Sequence, residues 1–436
     1  MSVYHLLVYV AVAYYFFIYS THLLHLALGY RSALRWNKMG YLEEAHRLTR
    51  STLVPPVTLV GDLSAVEGDA VQWIDHLLGQ RFPQLELIIA AHGDDERLEA
   101  IVEAYYLRRL DRVFRRFTAS PEPREIYQSG DRRLLLVVAE GDGSSFLNLA
   151  LNLARYPLFA VLDGEPYLEE DALLCLVKPF MEGGEETVAA MGVEVPSEME
   201  EDHLLPPGRM ARFSFMESLR MQLGYLAGAP SLGGPPVMSG SLVIYRREDL
   251  LKAGGFRAGS ATLEAEMDMA VRLHRLMRGE KKPYRFALLP RVTLRRPFPR
   301  SWREHFRGYS RLRKGVVEAM WSGRDMLFRP GYGYLGMVQL PAFWLLVNLM
   351  PILGLFCYVV TVAFFALGKV GWPPFAAFLV VSSLYPGLVG AGAVFTARHE
   401  LGILRGQGAL LYAYALLTQL WFRQASAVTA FLRYGV

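Results

Sequence analysis

Two acidic groups and one basic segment contain the residues of this sequence that are best suited to chemistry. Asp163 and Glu165 directly follow the apolar run 158–162, which is typical of a buried strand. Ligands of open α/β sheets bind beyond the carboxyl ends of the strands. Two carboxylates at this place could therefore hold a hard divalent cation, which would neutralise a diphosphate. The alternative is a solvated acidic turn, because Asp-Gly is a common turn dipeptide.

The second acidic group comprises Glu264, Glu266 and Asp268, which precede the apolar helical pattern at 269–277. Acidic residues at the start of a helix are favoured by the helix dipole and by capping, which is a purely structural explanation. The functional alternative is a general base that takes a proton from a hydroxyl group in the cleft that holds the cation. Both interpretations stay open at this point.

The basic segment lies just before the apolar C-terminal part of the chain and is opposed by Glu304 alone. Its cationic residues are Arg285, Arg291, Arg295, Arg296, Arg300, Arg303, Arg307, Arg311, Arg313 and Lys314. Aromatic side chains are interleaved with these arginines, which predicts interfacial amphipathic helices held by anionic lipid. One or two of the arginines could instead clamp a pyrophosphate.

Composition indicates an integral membrane protein with a soluble middle. The 436 residues are 52% hydrophobic and 20% charged, and the apolar residues are concentrated at the two ends. The net charge is +4, and the excess of basic residues lies beside the apolar ends and in the basic segment. That distribution suits a membrane surface or an anionic ligand and argues against nucleic acid. With two cysteines, a disulfide framework or a cysteine-ligated zinc site is not expected.

The membrane topology is predicted from charge-free apolar segments. Residues 6–28 are long enough to span a bilayer, and a secretory signal is the competing interpretation. Basic residues follow this span and none precedes it, so the soluble middle is predicted in the cytoplasm and the N-terminus outside. Further membrane segments are predicted at 331–368, 372–396 and 408–422, followed by an amphipathic interfacial end.

The soluble middle, from about residue 55 to residue 329, has the pattern of an α/β fold. Apolar runs at 57–60, 85–90, 134–139 and 158–162 predict buried parallel strands, and helical patterns at 69–78 and 146–155 lie between them. This alternation predicts a doubly wound, mostly parallel sheet with its ligand beyond the carboxyl ends of the strands.

Read in order, these segments resemble the membrane-embedded family 2 glycosyltransferases, which include the cellulose, chitin, hyaluronan and poly-N-acetylglucosamine synthases. The similarity covers nearly the whole chain and follows the family's order and spacing. The segments that carry it are 55–60, 77–89, 146–148, 154–155, 159–163, 238–241, 245–247, 254–256 and 422–424. By this resemblance Asn148 belongs to the donor side, and Ser239, Gly240 and Ser241 line the acceptor path.

On the donor side the chain departs from the family's pattern. The family's Asp-Asp-Gly-Ser, whose leading acid faces the uracil, is replaced by Ala91-His92-Gly93-Asp94. His92 and Asp94 are therefore candidates for replacement contacts to a base. Gly143 stands where the family has a lysine.

The catalytic motifs are altered but keep their charges. The metal motif Asp-x-Asp becomes Asp163-Gly-Glu165, and the Glu-Asp pair that supplies the base becomes Ala265-Glu266. The Gln-x-x-Arg-Trp motif keeps only Arg311, which would support the diphosphate.

The resemblance implies a GT-A-type (Rossmann-like) inner-membrane glycosyltransferase that moves a sugar, with inversion, from a nucleotide-sugar, most simply a UDP-sugar, to a polysaccharide or glycolipid. Mg²⁺ or Mn²⁺ would be the cofactor. The alternative is an inactive scaffold subunit that partners an active synthase; a transporter is disfavoured because the spans carry no buried charge pair. The expected units are a transmembrane helix at 1–30, a linker at 31–54, the catalytic domain at 55–284, basic interfacial helices at 285–330 and membrane helices at 331–436.

Overall fold

The centre of the protein is a sheet of ten strands, as seen in a computed structural model that describes residues 3–38, 53–111, 114–141, 143–183, 186–199, 205–238, 240–345, 350–403 and 408–426. The strands are β1 Val57–Asp62, β2 Leu85–Ala91, β3 Arg108–Arg109, β4 Pro123–Gln128, β5 Leu134–Ala139, β6 Leu158–Leu162, β7 Tyr167–Leu168, β8 Thr187–Pro196, β9 Leu242–Arg246 and β10 Arg285–Arg296. Their order in the sheet is β3-β4-β5-β2-β1-β6-β9-β8-β10-β7.

Four strands of the sheet confirm the sequence prediction. β5, β2, β1 and β6 are neighbours and pair in parallel. Their residues are almost all buried, because helices cover both faces of the sheet at this place. The continuous Val, Leu and Ile runs are therefore explained by burial on two sides.

Outside these four strands the sheet is mixed, so the expectation of a mostly parallel sheet is wrong for the whole. β9 runs antiparallel to both β6 and β8, and β4 runs antiparallel to β5. Because β9 is reversed between them, β8 runs in the same direction as β6, and β10 pairs parallel to β8.

The first part of the basic segment is also different from the expectation. Arg285–Arg296 forms strand β10 and not an interfacial helix. Its apolar side chains are buried in the core. Arg291 pairs with Asp171, and Arg295 pairs with Glu169. Acidic residues from distant parts of the chain therefore neutralise charges that the local sequence leaves unopposed.

Helices cover both faces of the sheet and extend from it. They are α1 Val3–Lys38, α2 Ala70–Leu78, α3 Leu98–Ala104, α4 Gly143–Leu153, α5 Ala172–Glu182, α6 Arg209–Gly224, α7 Arg247–Lys252, α8 Thr262–Gly279, α9 Trp302–Ser322, α10 Leu340–Trp344, α11 Met350–Ala366, α12 Trp372–Leu379, α13 Tyr385–His399 and α14 Gly408–Leu417. α4 and α8 belong to the hydrophobic core on one face, and α2 and α5 to the core on the other. α2 and α4 correspond to the two helices predicted from sequence.

The terminal helices pack on each other and on the sheet domain. α1 contacts α12 and α13, and it approaches the turn segment Leu226–Leu232 so closely that a Cβ on Gly228 would lie 2.0 Å from the carbonyl oxygen of His25. By length and composition, two helical stretches, Val3–Asn37 and Trp372–His399, could cross a membrane. α14 continues through Thr418–Phe422 to residue 426.

Candidate functional site

One edge of the sheet collects charged residues from four strands. β1, β6, β8 and β10 run in the same direction, so their carboxyl ends meet at this edge. Asp62 ends β1, Asp163 follows β6, Glu194 lies near the end of β8 and Arg296 ends β10. Helix α8 adds Glu266 from its second turn. Asp163, Glu194 and Glu266, which we call the carboxylate cluster, form the charged centre of the site.

The side chain of Asp163 is half-buried, and its carboxyl group has no hydrogen-bond partner among the described residues. Its backbone N–H donates to the carbonyl of Ser241, which holds the start of the turn after β6, at 3.2 Å. Burial raises the pKa of Asp163 to about 6, and the charge of Glu194 adds to the rise, while Arg296 and Arg311 oppose it. A carboxylate in this position would be stabilised by a cation that approaches from the cleft.

Glu266 is fully buried beside Asp163. The hydroxyl of Tyr245, on β9, donates to Oε1 of Glu266 at 3.3 Å, while Oε2 has no partner in the part of the chain that the structure describes. Burial raises the pKa of Glu266 well above its ordinary value, and the charges of Asp163 and Glu194 raise it further. Glu266 therefore holds a proton more tightly than a solvated glutamate does.

Glu194 is the member of the cluster with the most bonds. Its Oε2 accepts from Nε of Arg296 at 2.7 Å, and its Oε1 accepts from the backbone N–H of Ser241. The backbone N–H of Glu194 donates to Oε1 of Gln222, on α6, at 2.8 Å. A Cβ on Gly240 would lie 3.0 Å from Oε1 of Glu194. Gly240 and Ser241 thus line the carboxylate cluster, whereas Ser239 lies outside the described residues.

The two carboxylates of the Asp163-Gly-Glu165 motif have different surroundings. Oε2 of Glu165 accepts hydrogen bonds from the backbone N–H groups of Glu67 and Gly68, at 3.0 and 3.1 Å. These bonds fasten the loop after β1 to the motif. Glu165 is thus anchored by the protein, whereas the side chain of Asp163 is available to a ligand.

Arg311 is a predicted donor residue whose charge acts on the carboxylate cluster. It is exposed on α9, and its positive charge acts to lower the pKa of Asp163. Its partner positions in the motif, Gly308 and Leu312, offer no such charge. The approach of Arg311 to Asp163 could not be inferred from their separation in sequence.

The other three donor candidates lie along β2 and α4. The ring of His92 meets that of Phe146 edge to face, with centroids 5.0 Å apart, and Asp94 is exposed in the following turn. Asn148 is buried and bonds both ways with the backbone of Phe256: it donates to the carbonyl at 2.8 Å and accepts from the N–H at 2.7 Å. Asn148 therefore ties α4 to the segment after α7. Donor contacts by these residues stay predictions.

The pair Asp163 and Glu165 has the oxygen donors that a hard divalent cation prefers, but it supplies only two protein ligands. Within the described ranges, no group of three or more His, Cys, Asp and Glu side chains is arranged to hold a metal. A cation at this motif would take its remaining ligands from water and from a substrate, as Mg²⁺ sites at phosphates commonly do. The side chains present thus fit a cation that is bound together with a phosphate compound.

Comparison with solved structures identifies the fold. The chain resembles the mannosyltransferase PcManGT from Pyrobaculum calidifontis, solved in complex with GDP-Man and Mn²⁺, with 16% identity, a TM-score of 0.51 and coverage of 93% of this chain and 99% of that one. The fold is thus GT-A-like.

Two further likenesses have TM-scores that are too low to add to this assignment. Glucosyl-3-phosphoglycerate synthase from Mycobacterium tuberculosis has 14% identity, a TM-score of 0.37 and coverage of 64% and 82%. Mannosyl-3-phosphoglycerate synthase from Rubrobacter xylanophilus has 13% identity, a TM-score of 0.38 and coverage of 64% and 78%. No protein-family profile and no curated protein matches the sequence.

Proposed function

We propose that the protein is a membrane-bound, inverting glycosyltransferase that transfers a sugar from a nucleotide-sugar to a hydroxyl group of a glycan or glycolipid. The observation that carries the proposal is the meeting of Asp163, Glu266 and Arg311 at the carboxyl edge of the sheet. These residues come from three distant parts of the chain. A nucleotide-binding cleft is expected at this edge in an α/β fold.

In this proposal the donor diphosphate lies between Asp163 and Arg311. Asp163, with the remaining oxygen of Glu165, would hold Mg²⁺ or Mn²⁺, which supplies charge neutralisation for the departing diphosphate. Arg311 adds a positive charge on the exposed side of the cleft. His92 and Asp94 remain the candidates for contacts to the base.

Glu266 is the proposed general base. The acceptor oxygen attacks the anomeric carbon as the bond from that carbon to the diphosphate oxygen breaks, and the hydroxyl proton passes to Oε2 of Glu266. One displacement of this kind inverts the anomeric configuration. The pKa of Glu266, raised by burial and by Asp163, makes it a strong proton acceptor once it is ionised.

Membrane attachment is part of the same proposal. The apolar stretches Val3–Asn37 and Trp372–His399 support it, and so do the basic residues that follow residue 30 in sequence. We infer a plasma-membrane protein whose sheet domain lies in the cytoplasm and whose N-terminus lies outside.

The competing proposal is a catalytically inactive scaffold in a synthase complex. It is favoured by the anchoring of Glu165 to the loop at Glu67 and Gly68, because an oxygen used in this way is not offered to a cation. A working donor site distinguishes the two proposals.

The test is calorimetric titration of the full chain in nanodiscs with UDP and with GDP, each with and without Mn²⁺. We expect binding of one nucleotide that requires Mn²⁺ and that is lost in Asp163→Asn. Asp131→Asn is the matched control, since Asp131 is exposed in the turn before β5, at the opposite edge of the sheet. Absence of metal-dependent binding of either nucleotide to the wild-type chain would favour the scaffold.

A further inference from the structure

A second group of buried charges lies outside the proposed donor cleft, where four helices meet. The helices are α1, α6, α9 and the C-terminal helix that α14 begins. Three arginines and one glutamate from the last three of these form what we call the arginine cluster: Arg220, Arg313, Arg423 and Glu217. None of these residues has a role in the transfer reaction proposed above.

The electrostatic contacts place these residues in one group. Burial raises the pKa of Tyr309 on α9, and the charges of Arg423, Arg313 and Arg220 all oppose that rise. One phenol thus lies within the field of all three guanidinium groups. Glu217 is the single acidic residue among the described residues that acts on the same phenol.

Within the described residues, Glu217 is the acidic side chain that pairs with the cluster. Arg220 donates to both carboxylate oxygens of Glu217, at 2.6 and 3.0 Å, and burial of Glu217 is outweighed by the arginine charges, so that its pKa is lowered. Arg423 donates to the hydroxyl of Tyr19 on α1 at 2.8 Å. Glu217 therefore faces the charges of Arg220 and Arg423.

Donor groups within the cluster also lack partners. Arg220 and Arg313 are 98% and 93% buried, with exposures of 2% and 7%. Nη1 of Arg220 and both Nε and Nη1 of Arg313 have no hydrogen-bond partner in the described segments. Residues 427–436, which follow the cluster in the chain, contain no Asp or Glu. Buried guanidinium groups are costly unless an anion or acceptors satisfy them, because arginine does not release its proton.

We propose that the arginine cluster binds a phosphate group, carried by the lipid acceptor of the transferase, between α6, α9 and the C-terminal helix. Guanidinium groups match the oxygens of a phosphate in geometry and charge, whereas a neutral glycan offers no charge to three arginines. This inference rests on the proposed function, because it names the acceptor class of the same enzyme.

The surroundings of the cluster favour a phosphate that carries an apolar tail. Phe16, about one turn before Tyr19 on α1, and Leu420 and Trp421, just before Arg423 on the C-terminal helix, expose between 43% and 56% of their surface. A polyprenyl or similar chain could lie against this surface in a bilayer, while its phosphate enters among the arginines.

Helix α9 connects the arginine cluster to the donor cleft. Arg311 and Arg313 are two positions apart, so they lie on nearly opposite faces of the helix. Arg311 is exposed on the side of Asp163, and Arg313 is buried in the cluster. A phosphate held by Arg313 would therefore lie across α9 from Arg311, and a hydroxyl-bearing group attached to it would extend around this helix, about 10–12 Å across, to reach the carboxyl edge of the sheet.

The test uses three ligands that separate charge from tail: farnesyl phosphate, farnesol and inorganic phosphate. Each is titrated into the full chain in phosphatidylcholine nanodiscs, with intrinsic tryptophan fluorescence as the readout. We expect saturable binding of farnesyl phosphate, no binding of farnesol and much weaker binding of inorganic phosphate. Equal affinity for farnesol and farnesyl phosphate would overturn the proposal. Equal affinity for farnesyl phosphate and inorganic phosphate would show that the site does not select a lipid-linked phosphate.

Variants then locate the site. Arg313→Gln is expected to weaken farnesyl phosphate binding by about tenfold or more. Arg324→Gln is the control, since Arg324 is exposed against the ring of Trp321 outside the cluster, and it is expected to bind normally. If Arg313→Gln fails to fold, the double variant Glu217→Gln with Arg220→Gln replaces both members of an ion pair and is expected to show the same loss. Wild-type affinity in a folded variant would refute the assignment.

Nucleotide binding is measured on the same samples to separate the two proposals. Loss of farnesyl phosphate binding with intact Mn²⁺-dependent nucleotide binding is expected for Arg313→Gln. A wild-type chain that binds nucleotide but neither farnesyl phosphate nor inorganic phosphate would refute only the arginine site. A wild-type chain that binds farnesyl phosphate but no nucleotide would refute only the donor site.

Discussion

The carboxylate cluster and the arginine cluster bury charges of opposite sign, and they differ in how those charges can be removed. Glu266 and Asp163 become neutral by binding protons, and burial raises the pKa of both. Arg220 and Arg313 stay charged at any ordinary pH. The first region therefore responds to pH and to cations, whereas the second keeps its charge and is satisfied by an anion or by hydrogen-bond acceptors.

This contrast explains why the protein tolerates both groups. Protonation limits the cost of the carboxylate cluster, and the Glu194–Arg296 ion pair at 2.7 Å offsets part of what remains. In the arginine cluster the carboxylate of Glu217 serves that purpose among the residues that the structure describes. The following changes test the comparison.

The largest effect is expected from Glu266→Gln. Removal of the proton acceptor should lower kcat by about 10²–10⁴-fold, the usual contribution of general base catalysis, with nucleotide affinity unchanged. Steady-state kinetics and calorimetry measure the two quantities. Glu264→Gln is the matched control two residues away, because Glu264 pairs with Lys314 at 3.2 Å and not with the cluster. Equal losses in both variants would contradict the role of Glu266.

A smaller loss is expected from Arg296→Gln. The substitution leaves Glu194 without its charged partner and removes a positive charge that opposes the rise in the pKa of Asp163. Turnover should fall by about 10–100-fold, which corresponds to the loss of a hydrogen bond between charged groups, about 1.5–3 kcal/mol. Arg295→Gln provides the control, since Arg295 pairs with Glu169 instead. The prediction fails if the two neighbouring variants have the same turnover.

Tyr245→Phe should change the pH profile more than the maximal rate. The Tyr245 hydroxyl stabilises the charged form of Glu266, so its removal raises the pKa of Glu266 further. The base must be ionised to act, and the acidic limb of kcat/KM should therefore move to higher pH while the plateau is retained. A lower plateau with an unmoved limb would show that the phenol acts in some other way.

The smallest effect is expected in stability. In the folded protein the pKa of Glu266 lies above that of the unfolded chain, so its contribution is complete at low pH and is lost as pH rises through the folded value. Glu266→Gln should thus raise the thermal midpoint at pH 8 by a few degrees and leave it unchanged at pH 4. Arg313→Gln should raise it equally at both pH values in the absence of phosphate compounds. Thermal scans at pH 4 and pH 8 measure both variants. If both variants raise the thermal midpoint by the same amount at the two pH values, the two clusters do not differ in their response to pH.

Four strands and two helices of the sheet domain could be predicted from local patterns. The runs in β1, β2, β5 and β6 are continuous and apolar because both faces of each strand are buried. Burial therefore favours an apolar side chain at each position of the run. Asp163 was found by the same reasoning, since it directly follows one of these strands.

Glu194 was not predicted as a site residue, and Arg296 was predicted only as part of the basic segment, because the strands β8 and β10 were not predicted. The run 187–195, Thr-Val-Ala-Ala-Met-Gly-Val-Glu-Val, is a strand signal that ends beside an acidic residue, so the strand-end rule applied to it would have found Glu194. The residues of β10 were predicted to be helical because four of the twelve are arginines and they lead directly into the arginine-rich stretch that follows. Pro290 interrupts it, and the register of its pairing with β8 shifts between Leu288 and Val292.

By itself the sequence determined the alternation of strands and helices, the apolar stretches at both ends and the acids that follow β6 and begin α8. Local periodicity and hydrophobicity encode these features residue by residue. Only the tertiary structure decided which charges lie close together. Arg296 pairs with Glu194, and the charge of Arg311 acts on Asp163. Arg220, Arg313 and Arg423 all act on the phenol of Tyr309. The physical reason is that electrostatic partners depend on distance in space and on burial, and neither quantity follows from separation along the chain.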